Sequence, residues 1–85
     1  MMRKKITCKV HDENKVIVKV GIEGERVYPI IAVWNDIINE RFEFYTIIDG
    51  KEAKVFAREK NGTKYLTTSP DGIIPNNLDE LPNCY

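Results

Sequence analysis

Few residues of this 85-residue sequence could take part in catalysis or bind a metal. The chain has one histidine, His11, and two cysteines, Cys8 and Cys84. A Cys–His nucleophile pair requires the two side chains to meet, but the alternation around Cys8 predicts an inward thiol and places His11 in a turn. Three such ligands also lack the Cys-x-x-Cys spacing of structural zinc sites. We expect no catalytic residue and no metal site.

Acidic and glycine-rich segments do not change this expectation. Asp12-Glu13 and Asp79-Glu80 are adjacent pairs, and solvated carboxylates of this kind need no catalytic role. The sequence has no glycine-rich loop followed by Lys-Ser or Lys-Thr, the pattern that cradles phosphate. We therefore expect a protein that is not an enzyme and has no cofactor.

The composition is that of an ordinary globular protein, with 42% hydrophobic and 31% charged residues. The length predicts a single domain over residues 1–85. Thirteen basic residues balance thirteen acidic ones, so no overall field attracts nucleic acid or an anionic membrane.

The N-terminal sequence is basic, but no apolar run of a secretory signal follows it. No segment approaches the roughly 20 apolar residues of a membrane helix. We expect a cytoplasmic protein in which Cys8 and Cys84 are reduced thiols. The alternative is a disulfide between them, which would close nearly the whole chain into a loop.

The hydrophobic periodicity predicts an α+β domain with the element order ββαβββ. Residues alternate over 6–10 and 16–20, as in half-buried strands, and a period of three to four follows Pro29. Three more strands are predicted from Phe42 onward, joined by tight turns at Asp49-Gly50 and Asn61-Gly62. The result is an antiparallel sheet of about five strands with one helix packed on one face.

The C-terminal residues 65–84 combine turn and capping signals. Residues 69–72, Ser-Pro-Asp-Gly, fit a type I turn. Asn77 and Glu80 fit a capping box at the start of a short helical turn, which Pro82 ends.

Ten residues of this stretch form a recognisable series: Tyr65, Leu66, Thr68, Asp71, Gly72, Asn77, Leu78, Leu81, Pro82 and Cys84. The series resembles the closing signature of the family catalogued as domain of unknown function 3892, a group of small uncharacterised bacterial proteins. The chain departs from the pattern at Thr67, where a basic residue is expected, and at Arg41, where a glycine often follows the helix. The family has no established activity, so the resemblance implies a fold and a structural signature without a mechanism.

The alternation also assigns side chains to the two faces of the sheet. The inner face should meet Trp34 of the helix and comprises Ile6, Cys8, Val10, Val16, Val18, Val20, Phe42, Phe44, Val55 and Leu66. The opposite face carries Ile17, Tyr45, Ile47, Phe56 and Tyr65 among Lys19, Lys54 and Arg58. That face is too apolar to be fully solvated.

Three interpretations of the opposite face remain open. The C-terminal segment could cover it with Ile73, Ile74, Leu78 and Leu81. Alternatively, a protein partner or a second copy could bind Tyr45, Lys54, Phe56, Arg58 and Tyr65, because aromatics beside arginine are typical of interface centres. Finally, Tyr45, Phe56 and Tyr65 could stack single-stranded bases while Lys54, Arg58, Lys60 and Lys64 contact phosphates. We expect a non-enzymatic interaction or self-association module with no membrane partner; the alternative is a nucleic-acid-binding accessory domain.

Overall fold

The described part of the chain folds into seven strands and one α-helix, followed by a short 3-10 helix. A computed structural model describes residues 2–68 and 77–85. The elements are β1 (Met2–His11), β2 (Ile17–Ile22), β3 (Val27–Pro29), α1 (Ile30–Ile38), β4 (Phe42–Ile48), β5 (Lys51–Lys54), β6 (Phe56–Lys60), β7 (Thr63–Thr67) and the 3-10 helix Asn77–Glu80. The predicted α+β class and the short C-terminal helical turn are confirmed. The cap predicted on the side chain of Asn77 lies outside what the structure describes.

Five strands form the main sheet in the order β3-β2-β1-β4-β5. The sheet is mixed rather than wholly antiparallel, because Met2 to Lys5 of β1 pair in parallel with Phe42 to Tyr45 of β4. Helix α1 explains this pair, since a helix that crosses the sheet returns the chain in its original direction. Strands β6 and β7 form a separate two-stranded hairpin.

Both predicted hairpin turns have the expected left-handed backbone. The φ angles are 52° at Asp49 and 78° at Gly50, and 52° at Asn61 and 80° at Gly62. Two consecutive positive φ angles define the turn whose twist matches that of the flanking strands. These local signals therefore set the connections from β4 to β5 and from β6 to β7.

Two features of the strands differ from the prediction. Strand β3 lies in a segment that the sequence predicts as a loop. The prediction missed it because three residues are too few to show an alternation. The single predicted fourth strand is divided into β5 and β6 at Val55. The Val55 N–H still donates to the Phe44 carbonyl at 2.9 Å, so the chain leaves β4 only beyond this residue.

One hydrophobic core joins the sheet, the helix, the hairpin and the C-terminal segment. Its buried members are Ile6, Val20, Ile22, Val33, Phe44, Val55, Ala57, Leu66, Leu78 and Leu81. Because Leu78 and Leu81 lie in this core together with Val33 of the helix, the prediction that they cover the opposite face is wrong. Ile73 and Ile74, like the turn predicted at 69–72, lie outside the described residues.

The face assignment at the start of β2 is also corrected, whereas Val20 is buried as predicted. Val16 is exposed, whereas Ile17 packs against the core. The pairing register shifts between Val10 and His11, and such an irregularity exchanges the faces of the residues beyond it. Trp34 packs against the core while half-buried, and its indole N–H donates to the carbonyl of Arg58 at 2.9 Å.

The two cysteines are not reduced thiols. Cys8 and Cys84 form a disulfide, with Cα atoms 4.9 Å apart. The sequence prediction was based on the expected compartment and contained no information on distance, whereas the fold brings the two ends of the chain together. The bond also removes both thiols from any metal-ligand set.

Thr46 provides a stability prediction. Its side chain is fully buried, and its hydroxyl has no hydrogen-bond partner among the described residues. Thr46→Val replaces this unpaired hydroxyl by a methyl group of similar size, so we expect the free energy of unfolding to rise by about 1 kcal/mol. Urea denaturation of both proteins measures the difference. A loss of stability would show that the hydroxyl has a partner in solution.

Candidate functional site

The five residues predicted to form a binding face lie together on the outer surface of the sheet and hairpin. Tyr45 of β4 pairs with Lys54 of β5, and Arg58 of β6 pairs with Tyr65 of β7. Phe56 links the two pairs, because it lies two residues from both Lys54 and Arg58 on the same side of the chain. We call Tyr45, Lys54, Phe56, Arg58 and Tyr65 the outer strip.

Cationic groups stack on the aromatic rings along this surface. The Arg3 guanidinium lies 4.2 Å from the centroid of the Tyr45 ring. The Lys54 ammonium and the Arg58 guanidinium lie 5.5 Å and 5.3 Å from the Phe56 centroid. Each distance is within the range of a cation–π interaction. The rings are therefore positioned by charged neighbours.

Two glutamates compensate the cations at the Tyr45 end. Arg3 donates to Glu52 through Nη2 and lies 3.6 Å from Glu43. Lys54 lies 3.7 Å from the same Glu43 carboxylate. The hydrogen bond to Glu52 raises the pKa of Arg3 above its ordinary value. This end of the surface therefore carries two positive and two negative groups.

Sequence reasoning missed Arg3, Glu43 and Glu52. A signal for Arg3 was present, because the alternation of Lys5, Thr7 and Lys9 extends back to Arg3 and places it on the outer face. Nothing local indicated that β1 lies beside β4. Only that pairing brings Arg3 to Tyr45.

Part of the outer surface remains available for contact. Tyr65 is 36% exposed, and Ile47, two residues beyond Tyr45, is 42% exposed. Tyr45 and Phe56 are half-buried beneath their cationic neighbours. The surface therefore presents apolar rings with charged edges, which suits a partner with both apolar and polar groups.

The basic residues predicted to contact phosphate do not all lie on this surface. The Lys64 ammonium is 4.7 Å from the centroid of the Trp34 ring, on the helix side of the hairpin. Lys54 and Arg3 face glutamates, as described above. Of the predicted set, Lys54 and Arg58 lie on the outer strip, where Arg58 pairs with Tyr65 in the β6–β7 register.

The signature residues have mainly structural positions. Leu66, Leu78 and Leu81 are in the core, Cys84 is in the disulfide, and the Pro82 carbonyl accepts a hydrogen bond from the Lys9 N–H. Thr68 is half-buried, and Tyr65 is the signature member on the outer strip. Asp71 and Gly72 lie outside the described residues.

These features define a small α+β domain with a mixed sheet whose C-terminal segment is tied to its first strand. Residues 5–82 match the family model described as Protein of unknown function (DUF3892), and the chain belongs to that family. The family resemblance is thereby confirmed. No curated protein and no solved structure matches the chain. Among the residues that the structure describes, no helix is both long and apolar enough to cross a membrane.

Proposed function

We propose that this protein is a non-enzymatic module that binds a protein partner, or a second copy of itself, through the outer strip. The observation that carries the proposal is the row of half-exposed rings with arginine and lysine stacked on them. Tyrosine and arginine are enriched at the energetic centres of protein interfaces. A row of this composition on one face supports recognition rather than catalysis.

Charge balance favours a protein over a nucleic acid as the partner. Glu43 and Glu52 neutralise Arg3 and Lys54, and Lys64 lies on the other side of the hairpin. Phosphate binding gains its energy from uncompensated cations and weakens steeply with added salt. Single-stranded nucleic acid remains the alternative occupant of the rings, and it predicts a strong salt dependence.

A cytoplasmic location is part of the proposal. In that compartment glutathione and thioredoxin keep most thiols reduced, and the disulfides that form are usually transient or redox-sensing. The redox state of the Cys8–Cys84 pair therefore depends on the compartment in which the protein resides.

Tyr65→Ala tests the proposal, with Tyr85→Ala as the matched control. Tyr65 lies on the outer strip, whereas Tyr85 is 85% exposed at the C-terminus. Loss of an interface-centre tyrosine is expected to weaken binding at least about tenfold, equivalent to about 1.4 kcal/mol. Tyr85→Ala should leave binding unchanged.

The measurement is affinity capture from lysate with and without nuclease treatment, together with sedimentation of the purified chain to detect self-association. The proposal requires a protein, or the chain itself, that binds the wild type and Tyr85→Ala but is lost with Tyr65→Ala. Equal binding by all three chains would exclude the outer strip as the interface. Binding that disappears with nuclease and falls steeply with salt would favour the nucleic-acid alternative.

A further inference from the structure

The last residues of the chain pair with the part of β1 that β4 does not reach. The parallel register of β4 covers only Met2 to Lys5 of β1. Beyond it, the Lys9 N–H donates to the Pro82 carbonyl at 2.9 Å, and the Cys84 N–H donates to the Lys9 carbonyl at 2.8 Å. Lys9 and Asn83 thus form a parallel bridge. We call residues 82–85 the tail.

The tail is held to β1 by few interactions. Besides the two backbone hydrogen bonds, the described contacts include the disulfide from Cys84 to Cys8. Pro82, Asn83 and Tyr85 are exposed, and both cysteines are partly exposed. Leu78 and Leu81, by contrast, are buried in the core just before the tail. The tail can therefore detach while the core keeps its leucines.

Gly21 provides the space for the disulfide. It lies directly opposite Cys8 in the β1–β2 register and is buried. A Cβ atom at this position would lie 2.3 Å from the Cys8 sulfur and 3.1 Å from the Cys84 sulfur. The backbone beside the bond therefore tolerates only glycine while the bond is closed.

We propose that Cys8–Cys84 is a reversible thiol–disulfide exchange site for a dithiol reductant, and that its state decides whether the tail stays on β1. A bond needed only to hold the core would not have to end on an exposed tail beyond the last buried leucine. Opening the bond leaves the tail with two hydrogen bonds, and detachment exposes the N–H and carbonyl of Lys9. This proposal is independent of the outer strip.

The exchange balances as two successive displacements. A thiolate of the reductant attacks one sulfur of the protein disulfide, forms a mixed disulfide and releases the other cysteine as a thiolate. The second thiol of the reductant then attacks the mixed disulfide and releases the remaining cysteine. Two electrons pass to the protein, two protons complete the Cys8 and Cys84 thiols, and the reductant leaves as its own disulfide.

Amide hydrogen exchange of the full chain, with and without dithiothreitol, tests the proposal. On reduction the Lys9 and Cys84 amides, whose partners are in the tail and β1, should exchange at least about tenfold faster. The Val55 amide, which donates to Phe44 within the sheet, serves as the reference for unfolding of the whole chain: its protection should fall only as far as the loss of global stability requires, and the reduced Lys9 and Cys84 amides should exchange faster than Val55. Mass measurement of alkylated thiols establishes that the bond has opened.

Three results would overturn the proposal. Lys9 and Cys84 could remain protected in the reduced protein, so that the bond does not control the tail. The Lys9 and Cys84 amides could exchange no faster than Val55 in the reduced protein, so that they open only when the whole chain unfolds. Alternatively, the bond could resist dithiothreitol in the folded protein, so that it is not an exchange site.

Gly21→Ala is a second test that acts on the bond itself. Its methyl group would crowd the Cys8 sulfur and so disfavour the closed form. The bond should therefore open at a ratio of reduced to oxidised dithiothreitol about tenfold lower than in the wild type. Gly21→Ala should also accelerate exchange of the neighbouring amides in the oxidised protein. In a chain that carries Cys8→Ala and Cys84→Ala the sulfur atoms are absent, so the same substitution should accelerate that exchange much less than it does in the oxidised protein. An unchanged opening ratio would contradict the role of Gly21.

Discussion

Replacing both Cys8 and Cys84 by alanine is expected to lower the free energy of unfolding by about 4 kcal/mol, because the bond restricts a long loop in the unfolded chain. The two cysteines are 76 residues apart, so the bond closes almost the entire chain. Domains of this size have a total stability of about 5–15 kcal/mol. The variant should therefore remain folded with a much smaller margin.

Urea denaturation of the oxidised wild type and the double variant measures this loss. The wild type reduced with dithiothreitol is the internal control, and its midpoint should fall close to that of the double variant. Equal midpoints for the oxidised wild type and the double variant would show that the ends are not covalently joined in solution. Such a result would also remove the basis of the exchange site.

Phe44→Ala should have an effect of similar size for a different reason. Phe44 is 2% exposed at the centre of the core, and its ring meets that of Phe42 edge-on at 6.3 Å. Emptying a buried phenylalanine site costs about 3–5 kcal/mol, since apolar contacts are lost and a cavity remains. The unfolding midpoint in urea should fall accordingly.

Phe56→Ala is the matched control on the outer strip. Phe56 is half-buried and lies between two exposed cationic residues. Solvent can fill the space its ring leaves, so the loss should stay below about 1.5 kcal/mol. A loss equal to that of Phe44→Ala would place Phe56 in the core and make the outer strip a structural face.

The sequence by itself determined the two hairpins that follow the helix, β4–β5 and β6–β7. The turns Asp49-Gly50 and Asn61-Gly62 are local signals, because their conformations depend on adjacent residues. Period-two alternation then placed Phe44 inside and Tyr45 outside on β4, and Ala57 inside and Phe56 outside on β6. Every member of the outer strip could therefore be predicted from residues within its own hairpin.

Only the tertiary structure decided which distant segments meet. The parallel pairing of β1 with β4, the burial of Leu78 and Leu81 and the Cys8–Cys84 bond all join residues far apart in the chain. No local sequence pattern marks such contacts. The entropic cost of closing a long loop changes slowly with its length and does not depend on which residue types meet. For the same reason the contact of Arg3 with Tyr45 and the space above Gly21 became visible only in the fold.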